Sequence, residues 1–596
     1  MPRPALSGLT VTITILEGRN LIAKDRNLLG KRTTSDTYVK VFQGQASLGK
    51  TNTIPKTLNP KWSAQNTFAV TIGADSAQDL MRQNGGLSFT LNLFDEDRIG
   101  SDDSMGTVVI PVHPQDNVDT KWYPVGTGSG NHHCKNAKGD LQVRVSIQAQ
   151  AMRQVARGQQ TRLTSNRIRV GLAWDLEQGR KVDLDSSCVA VGYQGQVLMD
   201  ETVYYGNLTN SNLSIQHSGD ETTGEAVGDD EKIFLELDKI PSKVMALYFL
   251  LTVANNRESP NFTFADVRSA QARLIDTETR QGICRIVPTD FGANTALFLL
   301  RLSRVPGERG WLMTPIEEGD PHARDFGTLI PEIKGYTRDL VANIVVNPQE
   351  RIAVMRKGGT IRVADYIPGG FIPRHVTFGL AWDVTDGVNI DLDASAILLD
   401  ENYQLVDLVF FQHLTSNDGS IRHSGDEREG DEDGDDEMIN LALGGVSPNI
   451  KYIGFVVNSY SKQELDDVDK AACHLFDPKT KADIATYTMS NSKELDKHTA
   501  LLMGCLYRGD GGRDDWHLNI IGAPRQGTMA KDNVGDLQNY LLENPPQTPN
   551  AVPEPEIVLT AMPDAELLEE EEIVYVPQSD YKQYEDEEIV VPPARV

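Results

Sequence analysis

One acidic signature occurs twice in this chain of 596 residues and constrains its fold more than any other feature. Each copy has four blocks in the same order and with nearly the same spacing: Gly-Leu-Ala-Trp-Asp, Asp-Leu-Asp, His-Ser-Gly-Asp and Gly-Asp-Asp-Glu. The first copy runs from Gly171 to Glu231, and the second runs from Gly379 to Glu437. Ordered recurrence of four blocks indicates a duplicated domain.

The carboxylates of each copy fall in loops beside apolar segments that resemble strands. Folding would bring several like charges together, which is unfavourable unless a cation lies among them. A ligand set made of oxygen atoms selects a hard cation, and Ca²⁺ is the first candidate. His217 and His423 precede Ser-Gly-Asp in the two copies, and we expect them to be structural hydrogen-bonding residues because calcium prefers oxygen.

Composition narrows the class of protein. The five cysteines are scattered and odd in number, which argues against a disulfide framework and predicts a reducing, cytoplasmic location. We find neither a secretory signal nor an apolar run of membrane-spanning length, so any membrane contact is expected to be peripheral. The net charge is −28, but the first 150 residues carry a small excess of Lys and Arg. This distribution disfavours nucleic acid and is compatible with an anionic membrane surface.

The hydrophobic pattern predicts a mainly β fold, with an all-β sandwich in the first domain and with strands and minor helices in the two repeats. No helix is expected in the first domain. The expected divisions are a first sandwich at 1–150, a linker at 151–165, repeat one at 166–345, repeat two at 346–543, and an acidic, Pro-rich disordered tail at 544–596. The tail repeats a Glu-Ile-Val phrase, at Glu556, Glu572 and Glu588. It is either a solubilising tail or a strand-addition motif that docks a protein partner.

Three motifs of the first domain resemble those of C2 domains, the β-sandwiches that bind calcium and phospholipid. They are Thr34-Ser-Asp-Thr-Tyr38, Leu58-Asn-Pro-Lys-Trp62 and Phe94-Asp-Glu-Asp97, the last followed by Asp102-Asp103. The resemblance implies a complete set of five calcium-ligand aspartates, namely Asp25, Asp36, Asp95, Asp97 and Asp103. Thr37 stands where the family usually has proline.

Bound Ca²⁺ would remove the repulsion among these aspartates and make the loop tips positive. The tip residues expected to enter an anionic phospholipid interface are Arg26, Leu28, Leu29, Arg98 and Ile99. The alternative is a C2-like fold that is used only for contacts with protein.

Both repeats resemble the TerD family of tellurite-resistance and stress proteins, which are β-sandwiches with calcium bound by loop carboxylates. The resemblance therefore implies three β-sandwich domains in all. For repeat one the resemblance implies the ligands Asp175, Asp183, Asp185, Asp220, Asp229, Asp230 and Glu231. For repeat two it implies Asp383, Asp391, Asp393, Asp426, Asp435, Asp436 and Glu437.

Repeat one departs from the family pattern at two places. Val227 stands where repeat two has Asp433, and the segment Gln159–Asn166 lacks the lead-in Lys357-Gly-Gly of repeat two. Because the number of charged ligands tunes calcium affinity, repeat one is expected to bind calcium more weakly or to bind fewer ions.

No arrangement of catalytic residues stands out, so we expect a non-enzymatic, multi-site calcium-binding protein. The C2 domain would dock to a membrane or a partner when calcium binds, and the TerD repeats would form a calcium-binding scaffold in a stress or signalling response. One alternative is a structural component of a cytoskeletal or organellar assembly in which calcium is a permanent staple. Another is a small-ligand receptor, because TerD relatives in slime moulds have been described as cyclic-nucleotide binders.

Overall fold

The computed structural model of the chain describes residues 6–26, 30–82, 86–113, 119–176, 182–220, 229–255, 261–289, 292–341, 343–347, 350–367, 374–383, 391–425, 435–465, 469–488, 495–549, 552 and 566–567. The chain divides into two compact units. The first comprises Met1–Gln154, Arg273–Arg285 and Glu569–Val596, and the second comprises Val155–Ala272 and Ile286–Leu568. The predicted mainly β architecture is confirmed.

The first domain is a sandwich of two four-stranded antiparallel sheets, with the orders β6-β1-β10-β9 and β5-β4-β7-β8. Its strands are β1 Leu6–Arg19, β2 Asp25–Arg26, β3 Arg32–Thr34, β4 Thr37–Gln43, β5 Ala46–Lys50, β6 Thr67–Gly73, β7 Leu87–Asp95, β8 Asp103–Val112, β9 Asp119–Pro124 and β10 Asp140–Ala151. Side chains alternate between buried and half-buried along β1, as expected for strands that cover one side of a core. Val11 and Ile13 of β1 and Leu91 of β7 are fully buried in that core.

One helix in the first domain was not expected. The helix α1 spans Ala74–Arg82 directly after β6, and it turns the buried Ala77 toward the sandwich core. The apolar residues Ala74, Ala77 and Met81 recur at helical spacing, but the segment spans only nine residues.

Repeat one contains a seven-stranded sheet of order β14-β13-β17-β20-β21-β11-β34, in which β34 is Glu566–Leu567 of the tail, and a five-stranded sheet of order β15-β16-β12-β18-β19. Its strands are β11 Gln159–Leu163, β12 Arg167–Leu176, β13 Leu184–Gly192, β14 Val203–Tyr204, β15 Ile215–His217, β16 Glu231–Glu236, β17 Val244–Val253, β18 Val267–Asp276, β19 Gly282–Ile286, β20 Ala296–Arg304 and β21 Trp311–Asp320. Every residue of β13 and of β17 is buried, and β17 is accordingly a nearly continuous apolar run.

Repeat two contains two six-stranded sheets with the orders β22-β31-β30-β24-β28-β27 and β23-β33-β32-β29-β25-β26. Its strands are β22 Ala353–Val354, β23 Thr360–Arg362, β24 Val376–Asp383, β25 Leu392–Leu399, β26 Leu405–Val409, β27 Ile421–His423, β28 Glu437–Leu441, β29 Tyr452–Ser459, β30 Asp469–Phe476, β31 Asp483–Thr488, β32 Ala500–Arg508 and β33 Trp516–Arg525. Phe378 of one sheet stacks on Phe455 of the other across the core, with ring centroids 4.1 Å apart.

A short helix follows the last long strand of each repeat, as the sequence predicts. Helix α2 spans Ile330–Tyr336 and helix α3 spans Val534–Glu543. Single turns of 3₁₀ helix occur at Gly130–His132, Met199–Glu201, Phe264–Asp266, Gly327–Leu329, Val363–Tyr366, Leu443–Gly445 and Ala530–Asn533. No described helix is both long and apolar enough to cross a bilayer.

The expected linker and the expected tail each contain a short strand. The segment 151–165 is not only a linker, because β11 lies within it and pairs with β21 through Thr161 opposite Met313. In the tail, β34 spans Glu566–Leu567 and pairs in parallel with β11. The three Glu-Ile-Val phrases lie outside the described residues.

Candidate metal centres

Strand register brings the first and fourth blocks of each signature together. In repeat one, Leu172 of β12 lies opposite Glu231 of β16. In repeat two, Leu380 of β24 lies opposite Glu437 of β28. The second block, Asp-Leu-Asp, enters β13 or β25 in the facing sheet. The acidic blocks therefore meet at one end of each sandwich.

A buried glutamate joins the two sheets at this end of each repeat. Glu231 Oε2 accepts the backbone N–H of Ser186 at 2.8 Å, and Glu437 Oε2 accepts that of Ala394 at 2.5 Å. Both glutamates are fully buried. Each glutamate therefore links the strand after Asp-Leu-Asp to the facing sheet.

The paired histidines hold the same corner. His217 Nδ1 accepts the backbone N–H of Gly219, and His423 Nδ1 accepts that of Gly425, both at 3.1 Å. His423 Nε2 then donates to the Ala394 carbonyl at 2.8 Å, and His217 Nε2 lies 2.8 Å from Ser186 Oγ. Both histidines act as structural hydrogen-bonding residues, in agreement with the sequence analysis.

The first aspartate of each Gly-Asp-Asp-Glu block faces a cationic or basic side chain. Asp229 accepts a hydrogen bond from Arg169 Nη2 at 3.1 Å. Asp435 lies 2.8 Å from His474 Nε2, and the other ring nitrogen of His474 contacts Asp483. These two hydrogen-bonded carboxylates raise the pKa of His474 to about 9, although burial opposes the shift.

The first aspartate of the fourth block also explains the glycine that opens the first block. A Cβ atom at Gly171 would lie 1.9 Å from Asp229 Oδ2, and one at Gly379 would lie 2.5 Å from Asp435 Oδ2. The second aspartate of the fourth block, Asp230, also bonds to the first block. Its Oδ2 accepts the backbone N–H of Trp174 at 2.8 Å. The fourth block is therefore packed directly on the first.

Three other carboxylates of repeat one form a tight cluster. Oxygen atoms of Asp183, Asp185 and Asp220 lie within 4.8 Å of one another. Asp183 and Asp185 are buried, whereas the side chain of Asp220 is 33% exposed. We call these three residues the repeat-one cluster.

The guanidinium of Arg356 lies in the repeat-one cluster. Its Nη1 is 2.9 Å from Asp183 Oδ2 and 2.8 Å from Asp185 Oδ1, and its Nη2 is 2.8 Å from Asp220 Oδ2. The guanidinium also lies over the ring of Tyr205, 5.1 Å from the centroid. Arg356 comes from the lead-in of repeat two, and sequence analysis did not identify it.

The electrostatics of the cluster follow from this contact. Burial raises the pKa of Asp185 well above its usual value, and Asp183, Asp220 and Glu231 add to the shift, while Arg356 opposes it. Burial also raises the pKa of Asp220. For Arg356 burial lowers the pKa, but the three aspartates outweigh it and the net shift is upward. The guanidinium is therefore the cation that compensates this group.

The structure corrects the position of the lead-in of repeat one. Gly158 and Gly358 both have φ of about 80°, and their N–H groups point to the carbonyls of Pro315 on β21 and Ile520 on β33, at 3.5 and 2.8 Å. The lead-in of repeat one is thus Val155–Gln160 and not Gln159–Asn166. In this alignment Ala156 occupies the position of Arg356.

Among the other ligands implied for the repeats, the structure describes the side chains of Asp391, Asp393 and Asp436. Asp391 and Asp393 flank the start of β25 in repeat two, just as Asp183 and Asp185 flank the start of β13 in repeat one. Asp393 and Asp436 are buried. The side chains of Asp175 and Asp383, and the whole of Asp426, lie outside the described residues, as do Val227 and Asp433.

In the first domain, register places the expected ligands at one end of the sandwich. Asp95 lies opposite both Thr37 of β4 and Asp103 of β8. Asp95 accepts the backbone N–H of Asp36. Burial raises the pKa of Asp95 to about 7, and the neighbouring charges of Asp25, Asp97 and Asp36 add to the shift.

These carboxylates form a donor set of oxygen atoms, which fits Ca²⁺. Within the described ranges, three carboxylate oxygens mutually within 4.8 Å occur only in the repeat-one cluster. The five aspartates are therefore more widely spaced, as expected for like charges that face one another. Thr37, at the family's proline position, donates its N–H to the Ile54 carbonyl at 3.0 Å, which a proline could not do.

The loop between Asp97 and Asp103 projects into solvent. Ile99 is 94% exposed, and Arg98 beside it is exposed as well. Arg26 is also exposed, whereas Leu28 and Leu29 lie outside the described residues. An apolar residue and a cation thus share the tip of the loop that carries Asp97.

A separate cavity of about 350 Å³ lies in the second unit. Its lining includes His322, Arg324, Arg362, Asp365 and Tyr366. The Val552 N–H donates to Asp365 at 3.0 Å, so the beginning of the tail borders the cavity. Burial lowers the pKa of Arg324.

Family models match most of the chain. The model for the TerD domain matches residues 152–324 and 353–531, and the model for the C2 domain matches residues 9–125. The TerD matches together cover more than half of the sequence.

Individual relatives agree with these matches. The tellurium resistance protein TerD of Serratia marcescens is 34% identical over 185 residues, which cover 30% of this chain and 92% of that protein. General stress protein 16U of Bacillus subtilis is 31% identical over 175 residues, which cover 28% of this chain and 89% of that protein. A crystal structure of a TerD homologue from Streptomyces coelicolor aligns with 20% identity and a TM-score of 0.23, over 28% of this chain and 96% of that chain. A C2 domain of a plant extended synaptotagmin aligns with 20% identity and a TM-score of 0.18, over 25% of this chain and 97% of that chain.

Proposed function

The chain belongs to the TerD family, whose domain it carries twice behind a C2 domain, and from this premise we propose that it is a non-enzymatic, multi-site calcium-binding protein. Calcium would dock the C2 domain on an anionic phospholipid membrane. The TerD repeats would serve as a calcium-binding scaffold in a stress response, the setting that the names of two Bacillus subtilis relatives give.

One observation carries the membrane proposal. Aspartates from separate segments of the C2 sandwich converge on Asp95, which is buried and whose pKa is raised to about 7. Burial and like charges together make the ionised form of this group unfavourable unless a cation compensates it. Ca²⁺ supplies that compensation through oxygen ligands.

The adjacent surface suits an anionic interface. Once Ca²⁺ neutralises the aspartates, the exposed Arg26 and Arg98 leave the loop tips positive. Each Lys or Arg near an anionic leaflet contributes about 1 kcal/mol to the free energy of membrane binding. Ile99, which is 94% exposed, supplies apolar surface for the same interface.

Vesicle pelleting tests this proposal. The full chain should pellet with phosphatidylserine-containing vesicles in calcium and should remain in the supernatant in chelator. Magnesium should substitute poorly, because it demands tight octahedral geometry and sheds water reluctantly. Vesicles of phosphatidylcholine alone are the control, since they lack the anionic charge. Equal pelleting in calcium and chelator would contradict calcium-dependent docking.

The cavity in the second unit favours a second candidate function, that of a small-ligand receptor. Arg324, Arg362 and His322 border it, so an anionic ligand such as a cyclic nucleotide is the class that fits. A cyclic nucleotide should then raise the melting temperature of the chain, and Arg324→Gln should reduce that rise. An unchanged melting temperature at millimolar nucleotide would exclude this candidate.

A further inference from the structure

Arg356 is fixed in repeat two by its backbone neighbours. The Met355 N–H donates to the Thr486 carbonyl and the Gly358 N–H donates to the Ile520 carbonyl, both at 2.8 Å. The Gly359 N–H closes the turn by donating to the carbonyl of Arg356 itself at 2.9 Å. The lead-in thus holds the Arg356 backbone on one repeat while the guanidinium reaches the carboxylates of the other.

The side chain is largely buried in that position. Only 12% of its surface is exposed, and its two terminal nitrogens contact all three carboxylates of the repeat-one cluster. Nearby, the Tyr205 hydroxyl donates to the Val354 carbonyl at 3.2 Å, and the Tyr204 hydroxyl lies 3.1 Å from Thr488 Oγ1. The repeat-one cluster is therefore part of a polar interface between the repeats.

We propose that the repeat-one cluster is a docking site for the Arg356 guanidinium and that Arg356 excludes Ca²⁺ from it. The inference rests on the proposed calcium chemistry of the TerD loops. It also gives a new reason for weaker calcium binding by repeat one. The weaker binding would arise from a cation that repeat two supplies, and not from the ligand missing at Val227.

The competition favours arginine for a physical reason. A tethered group has a high effective concentration at its site, because binding costs little further loss of freedom. Ca²⁺ would have to displace three charge-assisted contacts and expel the guanidinium from a buried position. Ca²⁺ therefore meets an occupied site in repeat one.

The experiment compares calcium binding to the full chain by equilibrium dialysis and titration calorimetry. Arg356→Gln should bind one more calcium ion per chain than the wild type, or bind one ion at least about tenfold more tightly, within the usual range of coupling between competing groups. Arg356→Lys should resemble the wild type more closely, because it keeps the charge. Arg362→Gln is the matched control, since it removes a nearby cation, on β23, that pairs with Asp515 instead.

A second comparison does not depend on calcium. In chelator, Arg356→Gln should melt at a lower temperature than Arg362→Gln, because it leaves buried carboxylates uncompensated. Calcium should restore the melting temperature of Arg356→Gln to a greater extent than that of the control.

The outcomes separate this inference from the proposed function. Asp183→Asn combined with Asp220→Asn should leave the calcium count of the wild-type background unchanged, and loss of one ion would overturn the exclusion of calcium. Equal counts and affinities in wild type and Arg356→Gln would also overturn it. If no variant binds calcium at any site, the C2 domain included, the proposed function fails together with the inference.

Discussion

Replacing Asp95 and Asp97 together by asparagine is expected to abolish calcium-dependent pelleting with anionic vesicles. The two substitutions remove two of the five implied ligand charges while keeping side-chain volume. Ligand charge tunes calcium affinity over orders of magnitude, so the loss should exceed about 100-fold. Asp95 is buried among like charges, so its amide variant should not unfold the sandwich.

The control for this variant removes two acidic charges elsewhere in the same domain. Asp119 of β9 pairs with Lys121 of the same strand, and Asp140 of β10 pairs with Arg19 of β1. Asp119→Asn with Asp140→Asn should therefore leave vesicle binding nearly unchanged. If the two double variants behave alike, the aspartates around Asp95 are not the calcium ligands, and the membrane role loses its basis.

Glu437→Ala is expected to destabilise the acidic end of repeat two in chelator as well as in calcium. The substitution leaves the buried N–H of Ala394 without its acceptor and opens a cavity between the two sheets. Loss of a hydrogen bond to a charged group costs roughly 2–3 kcal/mol. At about 1.4 kcal/mol for each factor of ten, amide exchange in β25 should accelerate by roughly 30-fold or more where it proceeds by local opening.

Hydrogen exchange resolved by peptide tests this role of Glu437. The effect should appear in β25 of repeat two and spare β13 of repeat one, whereas Glu231→Ala should do the reverse. Glu401→Ala, at an exposed turn position, should change neither strand. Unchanged exchange in β25 of the Glu437 variant would mean that the bond between the sheets contributes little.

Much of this architecture could be predicted from local sequence. Alternating segments such as β1 show one buried side, and continuous apolar runs such as β17 are strands buried on both faces. The five aspartates of the C2 domain were proposed from the resemblance to that family, and the strand register places Asp95 opposite Asp103 and opposite Thr37, the neighbour of Asp36. Helix α1 escaped prediction because it spans only nine residues, too few for the helical spacing of its apolar residues to stand out among the strands.

The partners of the acidic residues could not be predicted in the same way. Arg356 reaches the repeat-one cluster from the next repeat, and a single sequence does not show which distant cation meets which loop. The first aspartate of the fourth block meets Arg169 in repeat one and His474 in repeat two, so even the duplication does not reveal its partner. The lead-in of repeat one was misplaced because Gly158 and Gly358 are related by backbone conformation more clearly than by sequence.

The most direct test of the central claim, that the acidic signature binds calcium, is thermal melting of the full chain in chelator, calcium and magnesium at matched ionic strength. An ion that binds only the native state stabilises it by about 2.7 kcal/mol per site at a hundredfold excess over Kd. Calcium should therefore raise the melting temperature by several degrees above that in chelator, and magnesium should raise it less. Superimposable melting curves in the three conditions would contradict the claim.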